Sequence, residues 1–398
     1  MTGKPRHIGV AERRARLGLR QRLVGATRAK TPEEVADSLV ALHGTDPATV
    51  YLAVGARLRD ARTTVARVER ALYEDRSLVR MHGMRNTVFV FPTGLAAVVH
   101  ASTALDIAAK TRAGLVKDMA SGSDGRLTGP WLDEVEASVL AALARRGQST
   151  VNELTADEPR LKEQFVYAPG KSYEAVQTVS SRLMRLLGVE GRVVRGRPLG
   201  SWTSSQFRWA VAPPHPPLPP AEARSTLLNR WLTACGPATE ADLKWWTGWK
   251  VTDVRRALDG CGAVTVSLDD GVTAYVAAGD EGPVEGPDAP WAALLPALDP
   301  APMSRAERDW FLEPSLRSAL FDRSGNVGPT VWWDGRVVGG WAQRPDGDIV
   351  WRLLDTGGVG REALDAISAE AERLGAWVGG TRITPRFRTP LERELSAQ

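Results

Sequence analysis

Residues 41–58 read Ala-Leu-His-Gly-Thr-Asp-Pro-Ala-Thr-Val-Tyr-Leu-Ala-Val-Gly-Ala-Arg-Leu, and the punctuation of this stretch organises the chain on both sides of it. Upstream, Thr31-Pro32-Glu33-Glu34 combines an N-cap residue, a proline at the first helical position and a capping-box glutamate. Val35, Leu39 and Leu42 follow at helical spacing and form a buried stripe. His43, Thr45 and Asp46 therefore fall on a polar turn where that helix ends, and a second apolar run opens at Pro47. Asp46-Pro47 also has the chemistry of an ordinary helix start, an Asp cap with Pro behind it. His43 at a helix C-terminus would serve equally as a donor to the last carbonyls.

Outward from this stretch, residues 10–24 predict a basic helix and 63–78 another. The latter leads through Arg80-Met-His-Gly-Met-Arg85-Asn-Thr87 into the strand-like Val88-Phe-Val-Phe91. A second unit opens at Gly129-Pro130, with a helix over 131–145 ending at Gly147. A short helix follows behind Thr150, then a long one over 171–187 and a two-stranded wing over 192–211. The proline-rich segment 213–220 breaks both helix and sheet and reads as a linker. A third unit repeats the order: helix 221–234 ends at Gly236, and Thr239, Asp242 and Leu243 keep the offsets of Thr150, Glu153 and Leu154. Helix 250–259 and strands at 263–267 and 273–278 complete it. Beyond 290, Asp334-Gly335 and Asp346-Gly347 between apolar runs predict hairpins, followed by a helix over 360–374. The expected class is α+β, with units at 1–125, 126–220, 221–288 and 289–398, the last a small β-barrel-like domain.

The net charge is only +4, but residues 1–120 hold 20 Lys and Arg against 11 Asp and Glu. Arginine supplies most of the excess, and its planar fork suits bidentate phosphate contacts, so this end is expected to carry a polyanion-binding face. No apolar run approaches membrane-spanning length, and the basic N-terminus leads into a charged helix rather than an apolar one. Cys235 and Cys261 lack CxxC spacing and read as small buried residues in a reducing cytoplasm. Five histidines with no HExxH or Cys/His cluster predict no metal, and the absence of a GxGxxG or Walker loop predicts no nucleotide cofactor. No heptad or dimerisation helix stands out, so a cytoplasmic monomer without cofactors is expected.

Taken together and in order, Ala41–Leu58, Arg80–Phe91, Ser201–Trp209, Leu294–Pro300 and Gly328–Gly339 resemble the winged-helix alkylpurine DNA glycosylases. This bacterial repair family includes self-resistance proteins of antibiotic producers. The resemblance covers nearly the whole chain. It implies tandem winged helices and a small β-barrel-like domain around a concave, basic channel for duplex DNA. It also implies hydrolysis of the N-glycosidic bond of alkylated purines of the N7-alkylguanine type, bulky adducts and crosslinks among them. Where that family carries Gln-x-Gln or Gln-x-Asp, this chain has His43-Gly44-Thr45.

N7 alkylation leaves guanine cationic and its bond to the sugar weakened. The enzyme then has to place a water beneath C1′ and stabilise an oxocarbenium-like sugar. By the resemblance, His43 and Thr45 take the glutamine positions, with Asp46 beside them as base or electrostatic stabiliser. Arg57, Arg80 and Arg85 near this site, and Arg195, Arg197 and Arg208 around the second wing, are the candidate DNA contacts; the plainer reading of each is a surface charge or internal ion pair. The competing function is a non-catalytic winged-helix DNA-binding protein, a regulator or lesion sensor. Either function predicts strongly salt-dependent duplex binding. With about six phosphates neutralised, affinity falls by about three orders of magnitude from 50 to 200 mM salt, and a flat salt titration by fluorescence anisotropy would contradict it.

Overall fold

The structure is a computed structural model that describes residues 4–397. It begins with helix α1 (Val10–Arg20) and α2 (Pro32–Leu39), which starts as expected: the Thr31 hydroxyl accepts from the Glu34 N–H at 3.2 Å. The Glu34 carboxylate reaches back one residue further than a capping box would, to the Lys30 N–H. The helix does not run on to His43. Val40 takes a φ of +64°, a region a β-branched residue rarely enters, and this breaks the helix. The chain then enters a two-residue strand, β1 (Leu42–His43). His43 is thus a strand residue, which corrects the expected turn at a helix end.

Asp46 caps α3 (Pro47–Gly55), which is buried along its whole length. Helix α4 (Thr64–Glu69) and a wide turn of π-helix, Arg70–Glu74, lead to β2 (Leu78–His82) and β3 (Val88–Pro92). The three strands pair antiparallel in the order β1-β3-β2. Helix α5 (Ala96–Val99), a second π turn and α6 (Leu105–Ser121) follow.

The middle of the chain shows the repeat read from the sequence. Helix α7 (Gly129–Arg146) stops at Gly147, and α8 (Val151–Asp157) starts on a full capping box between Thr150 and Glu153. Helix α9 (Val179–Val189) and the hairpin β6–β7 close the series, but α9 starts eight residues later than predicted. Residues 164–178 instead form a hairpin, β4 (Gln164–Tyr167) with β5 (Ala175–Thr178), turning around Pro169-Gly170. Phe165 is buried on β4 while the flanking Gln164 is exposed, and the β-branched and aromatic residues Phe165, Val166 and Tyr167 favour a strand here. Strands β6 (Val193–Pro198) and β7 (Phe207–Val211) form the expected two-stranded hairpin.

After the proline-rich segment, α10 (Pro220–Cys235), α11 (Glu240–Thr247) and α12 (Val251–Gly260) precede the hairpin β8 (Val264–Ser267) and β9 (Thr273–Val276). Thr239 and Asp242 make the second capping box at the same offset. In both units the residue before the capping threonine is bridged to the closing hairpin, Ser149 to Trp209 and Ala238 to Tyr275.

The last part is a four-stranded antiparallel meander: β10 (Ala292–Leu295), β11 (Thr330–Trp333), β12 (Arg336–Gln343) and β13 (Ile349–Leu353). Asp334 and Gly335 both have positive φ in the tight β11–β12 turn, as the Asp-Gly cue predicts. Between β10 and β11 lie the short helices α13 (Pro300–Met303) and α14 (Arg317–Leu320); α15 (Arg361–Val378) and α16 (Pro390–Ser396) follow β13. The meander is open, with β10 and β13 unpaired with each other. This corrects the barrel-like expectation: α15 packs across β10, β11 and β13 where closure would have occurred.

The two ends of the chain share one apolar core, in which Leu42, Tyr51, Leu78 and Val90 meet Leu294, Val331, Trp341 and Ile367. Gly55 lies so close to Trp377 of α15 that an added Cβ would sit 2.5 Å from the indole. Arg373 of the same helix donates to the Gly55 and Ala56 carbonyls at the end of α3. Deepest of all is Arg57, wholly buried, which forks onto Asp299 at 2.7 and 2.8 Å and donates to the Gln21 and Ala53 carbonyls. Removing one partner of such a pair strands the other as a buried charge. Arg57→Met or Asp299→Asn is therefore expected to destabilise the fold by about 3–5 kcal/mol. Denaturant unfolding checks this, and a loss below about 1 kcal/mol would contradict it.

Candidate active site and nucleic-acid interface

β1 is short because its flanks have other tasks, Val40 ending one helix and Asp46 starting the next. It is held by pairing: Leu42 lies opposite Val90 and His43 opposite Phe89, and the Gly44 N–H donates to the Val88 carbonyl at 2.8 Å. A Cβ on Gly44 would stand 3.3 Å from that carbonyl and from the Phe89 backbone, so the close approach favours glycine here. The His43 ring meets Phe89 edge-on with centroids 5.3 Å apart. It is buried, and its Nδ1 is shut off from solvent with no partner. Burial, with a smaller push from Arg85, holds the imidazole down to about 4, so it is neutral at pH 7. Thr45 lies half-buried on the bend that follows.

Asp46 is buried and uses both carboxylate oxygens. One accepts the Ala48 N–H at 3.1 Å as a helix cap; the other accepts the Arg386 N–H at 2.9 Å from the segment before α16. Burial pushes its pKa up, opposed by these two hydrogen bonds and by the Arg386 and Arg80 charges.

The sheet sorts the candidates onto two faces, because residues paired across strands share a face and neighbours along a strand do not. His43, Phe89 and Met81 form one row; Leu42, Val90 and Arg80 form the next, on the opposite face. On the His43 side, Arg85 takes a φ of +54° and lies 4.1 Å over the Trp245 ring, which Arg308 also covers at 4.8 Å. On the other side, Arg80 is buried on β2 with Nε and Nη2 unpartnered. Close to it, Arg195 of β6 lies 4.5 Å over Phe207, its pKa pulled down to about 10 by burial and by Arg80 and Arg386. Arg80 and Arg195 line a cavity of about 440 Å³ between β2, the Arg70–Glu74 turn and the β6–β7 hairpin.

Three expected DNA contacts are placed otherwise. Arg57 is sealed in the core and presents nothing to a polyanion. Arg197 pairs with Glu69 at 2.6 Å and Glu74 at 3.0 Å, tying the hairpin to α4 and the turn after it. Arg208 pairs with Glu153 at 2.9 Å. The plainer ion-pair reading holds for both.

Two further residues escaped the sequence reading. His82, opposite Val88 on β2, is buried against Gly188 of α9, where a Cβ would come within 3.2 Å of its ring, and burial holds it too at about 4. Arg386 lies in a turn-rich tail with no motif to mark it. Among the described residues, no group of three or more His, Cys, Asp or Glu could hold a metal ion, and no helix is long and apolar enough to cross a membrane.

The family model for AlkZ-like DNA glycosylases matches residues 36–377. The solved structure of Streptomyces sahachiroi DNA glycosylase AlkZ is similar in fold, with a TM-score of 0.70 at 21% identity. The alignment covers 96% of this chain and 99% of that one. No curated protein sequence matches the chain significantly.

The two buried imidazoles fix a pH dependence. Their folded pKa values lie below the unfolded value, so the unfolded chain binds protons first as pH falls. Stability is complete above about pH 6.5 and drops between about 6.5 and 4, by roughly 3 kcal/mol per histidine. His100 and His215 shift the same way. Thermal melts from pH 7.5 to 4.5 should show this limb, and replacing His43 and His82 by Gln should flatten it; an unchanged slope in the double variant would refute the assignment.

Proposed function

The chain belongs to the AlkZ-like DNA glycosylase family, and on that premise we propose that it hydrolyses the N-glycosidic bond of alkylated purines in duplex DNA. Cationic N7-alkylguanines are the substrate class, bulky adducts and crosslinks included. In this reading residues 1–125, 126–220 and 221–288 are three winged-helix units lining a concave basic channel, and 289–398 braces them with the open sheet. The recurring order of three helices and a hairpin in the second and third of these, each with its capping box, supports it. No cofactor is required, because the leaving group already carries its charge.

The observation that carries the proposal is the neutral imidazole of His43 beside Thr45, whose Nδ1 is shut off from solvent, so that Nε2 is the nitrogen left to meet a water. A glutamine at this point of the family motif would offer a neutral acceptor to a water. A histidine held at about 4 offers the same: an acceptor that orients water through a lone pair, and a weak base that takes the proton late. The departing cationic purine makes a strong base unnecessary, since the sugar carbon turns electrophilic as the bond stretches. The Asp46 carboxylate adds negative potential beside the developing oxocarbenium ion. Its position at the α3 N-terminus keeps it oriented by two backbone donors.

His43→Ala is expected to slow single-turnover release of 7-methylguanine from duplex DNA by ~10²–10⁴, with duplex affinity within about twofold of wild type. His43→Gln should recover most of the rate. Because the imidazole is held at about 4, wild-type excision should stay level from pH 8 to about 5.5 and not fall near 6.5. A fall centred at 6.5 would show His43 exposed and acting as an ordinary base. No base released from any alkylated duplex by the folded protein would leave the non-catalytic DNA-binding reading in its place.

A further inference from the structure

The cavity between β2 and the β6–β7 hairpin gathers more positive charge than the chain itself neutralises. Arg80, Arg195 and Arg386 have no carboxylate within ion-pair distance among the described residues, whereas the neighbouring Arg197 and Arg208 are paired. Arg80 is 5% exposed and keeps two guanidinium nitrogens unpartnered. Leaving a charged donor buried and unsatisfied costs about 1–3 kcal/mol or more, so the site is built for a group that arrives. Asp46 lies near enough to feel the Arg80 and Arg386 charges, but it already faces two backbone N–H groups. The other acids at the rim, Glu69, Glu74 and Glu153, are engaged by Arg197 and Arg208.

The depth of Arg80 decides which anion. Phosphates of a regular duplex follow a smooth path and can meet the exposed Arg386 at the rim. They cannot reach an arginine that is only 5% exposed in the wall of a cavity. A phosphate can enter only if its strand leaves that path, as happens when a nucleotide is rotated out of the stack.

Resting on the glycosylase reading above, we propose that the cavity lined by Arg80 and Arg195 binds one phosphodiester group of a strand whose nucleotide has been extruded from the duplex. The two guanidiniums come from the N-terminal sheet and the β6–β7 hairpin, so the phosphate bridges both, with the charge of Arg386 close by. Arg195 is stacked on Phe207 and therefore prepositioned, and Arg80 is held on β2. Both face the ligand without first breaking an ion pair. The site discriminates by geometry and reads no sequence.

The test uses two duplexes of identical sequence, one intact and one carrying a tetrahydrofuran abasic analogue, which lets the strand swing out and offers no base to excise. Wild-type protein should prefer the analogue duplex by about tenfold or more, and its salt slope there should exceed that on intact duplex by about 0.9, one extra phosphate. Arg80→Gln should abolish both differences, the variant binding the analogue duplex no tighter than the intact one and with the same salt slope. Arg195→Gln should act the same way, which guards against a folding defect in the buried variant; melting curves accompany both. Equal salt slopes for wild type on the two duplexes would overturn the proposal, as would an Arg80→Gln variant that still prefers the analogue duplex. Since neither duplex can be excised, a protein without glycosylase activity could still pass, so the two proposals fail separately.

Discussion

One buried ion pair sets the frame in which every other element sits. Arg57 leaves the end of α3 and forks onto Asp299, and the same carboxylate caps α13 through the Ala301 N–H at 2.9 Å. The remaining donors of Arg57 hold the end of α1 through Gln21 and the last turns of α3 through Ala53. One side chain thus fixes two N-terminal helices to the C-terminal sheet. A buried pair is a costly way to gain stability, because both charges must leave water. What it supplies is alignment, since the fork accepts a carboxylate in few orientations. Gly55 against Trp377 and Arg373 on the α3 carbonyls then add contacts that only this alignment permits.

The candidate site inherits its geometry from that frame. With α3 fixed, Asp46 is fixed at its start, and β1 must cover the short distance from α2 to Asp46 in extended form. The three-stranded sheet that results has a His43 face and an Arg80 face. The first is suited to placing a water through a neutral acceptor; the second collects charge around a cavity. On the proposed function, a single sheet with strands of two to five residues divides a chemical task from an anchoring one, and Asp46, just beyond the edge strand, adjoins both.

The legible parts of this arrangement were those written in local chemistry. Thr31, Thr150, Thr239 and Asp46 all cap helices where the sequence places caps, and Asp334-Gly335 turns a hairpin. The illegible parts depend on partners far away. The helical stripe of Val35, Leu39 and Leu42 hides a strand, because two residues of β1 cannot show a period and Val40 breaks the helix from a conformation no motif announces. Arg57 looks like any basic residue near a basic surface; only Asp299, distant in sequence, makes it a core residue. Arg386 and His82 were missed for the same reason. Their significance lies in Asp46 and Gly188, which the chain brings to them only once folded. The β4–β5 hairpin is a different failure: its second strand, Ala175–Thr178, lies inside the stretch read as a helix over 171–187.

The hydrogen bond from the Arg386 N–H to Asp46 spans 340 residues, and that separation has a consequence for biosynthesis. A ribosome adding about 5–20 residues per second needs roughly 20–70 s to make the stretch between them. Throughout that interval the aspartate lies in a nascent chain without its distal donor, and Arg57 waits nearly as long for Asp299. Local helices and hairpins can form as they emerge, but the long-range closure cannot begin until Arg386 has emerged. A chain stopped short of Arg386 carries every residue of the His43 face, yet lacks the clasp that orients the carboxylate beside it.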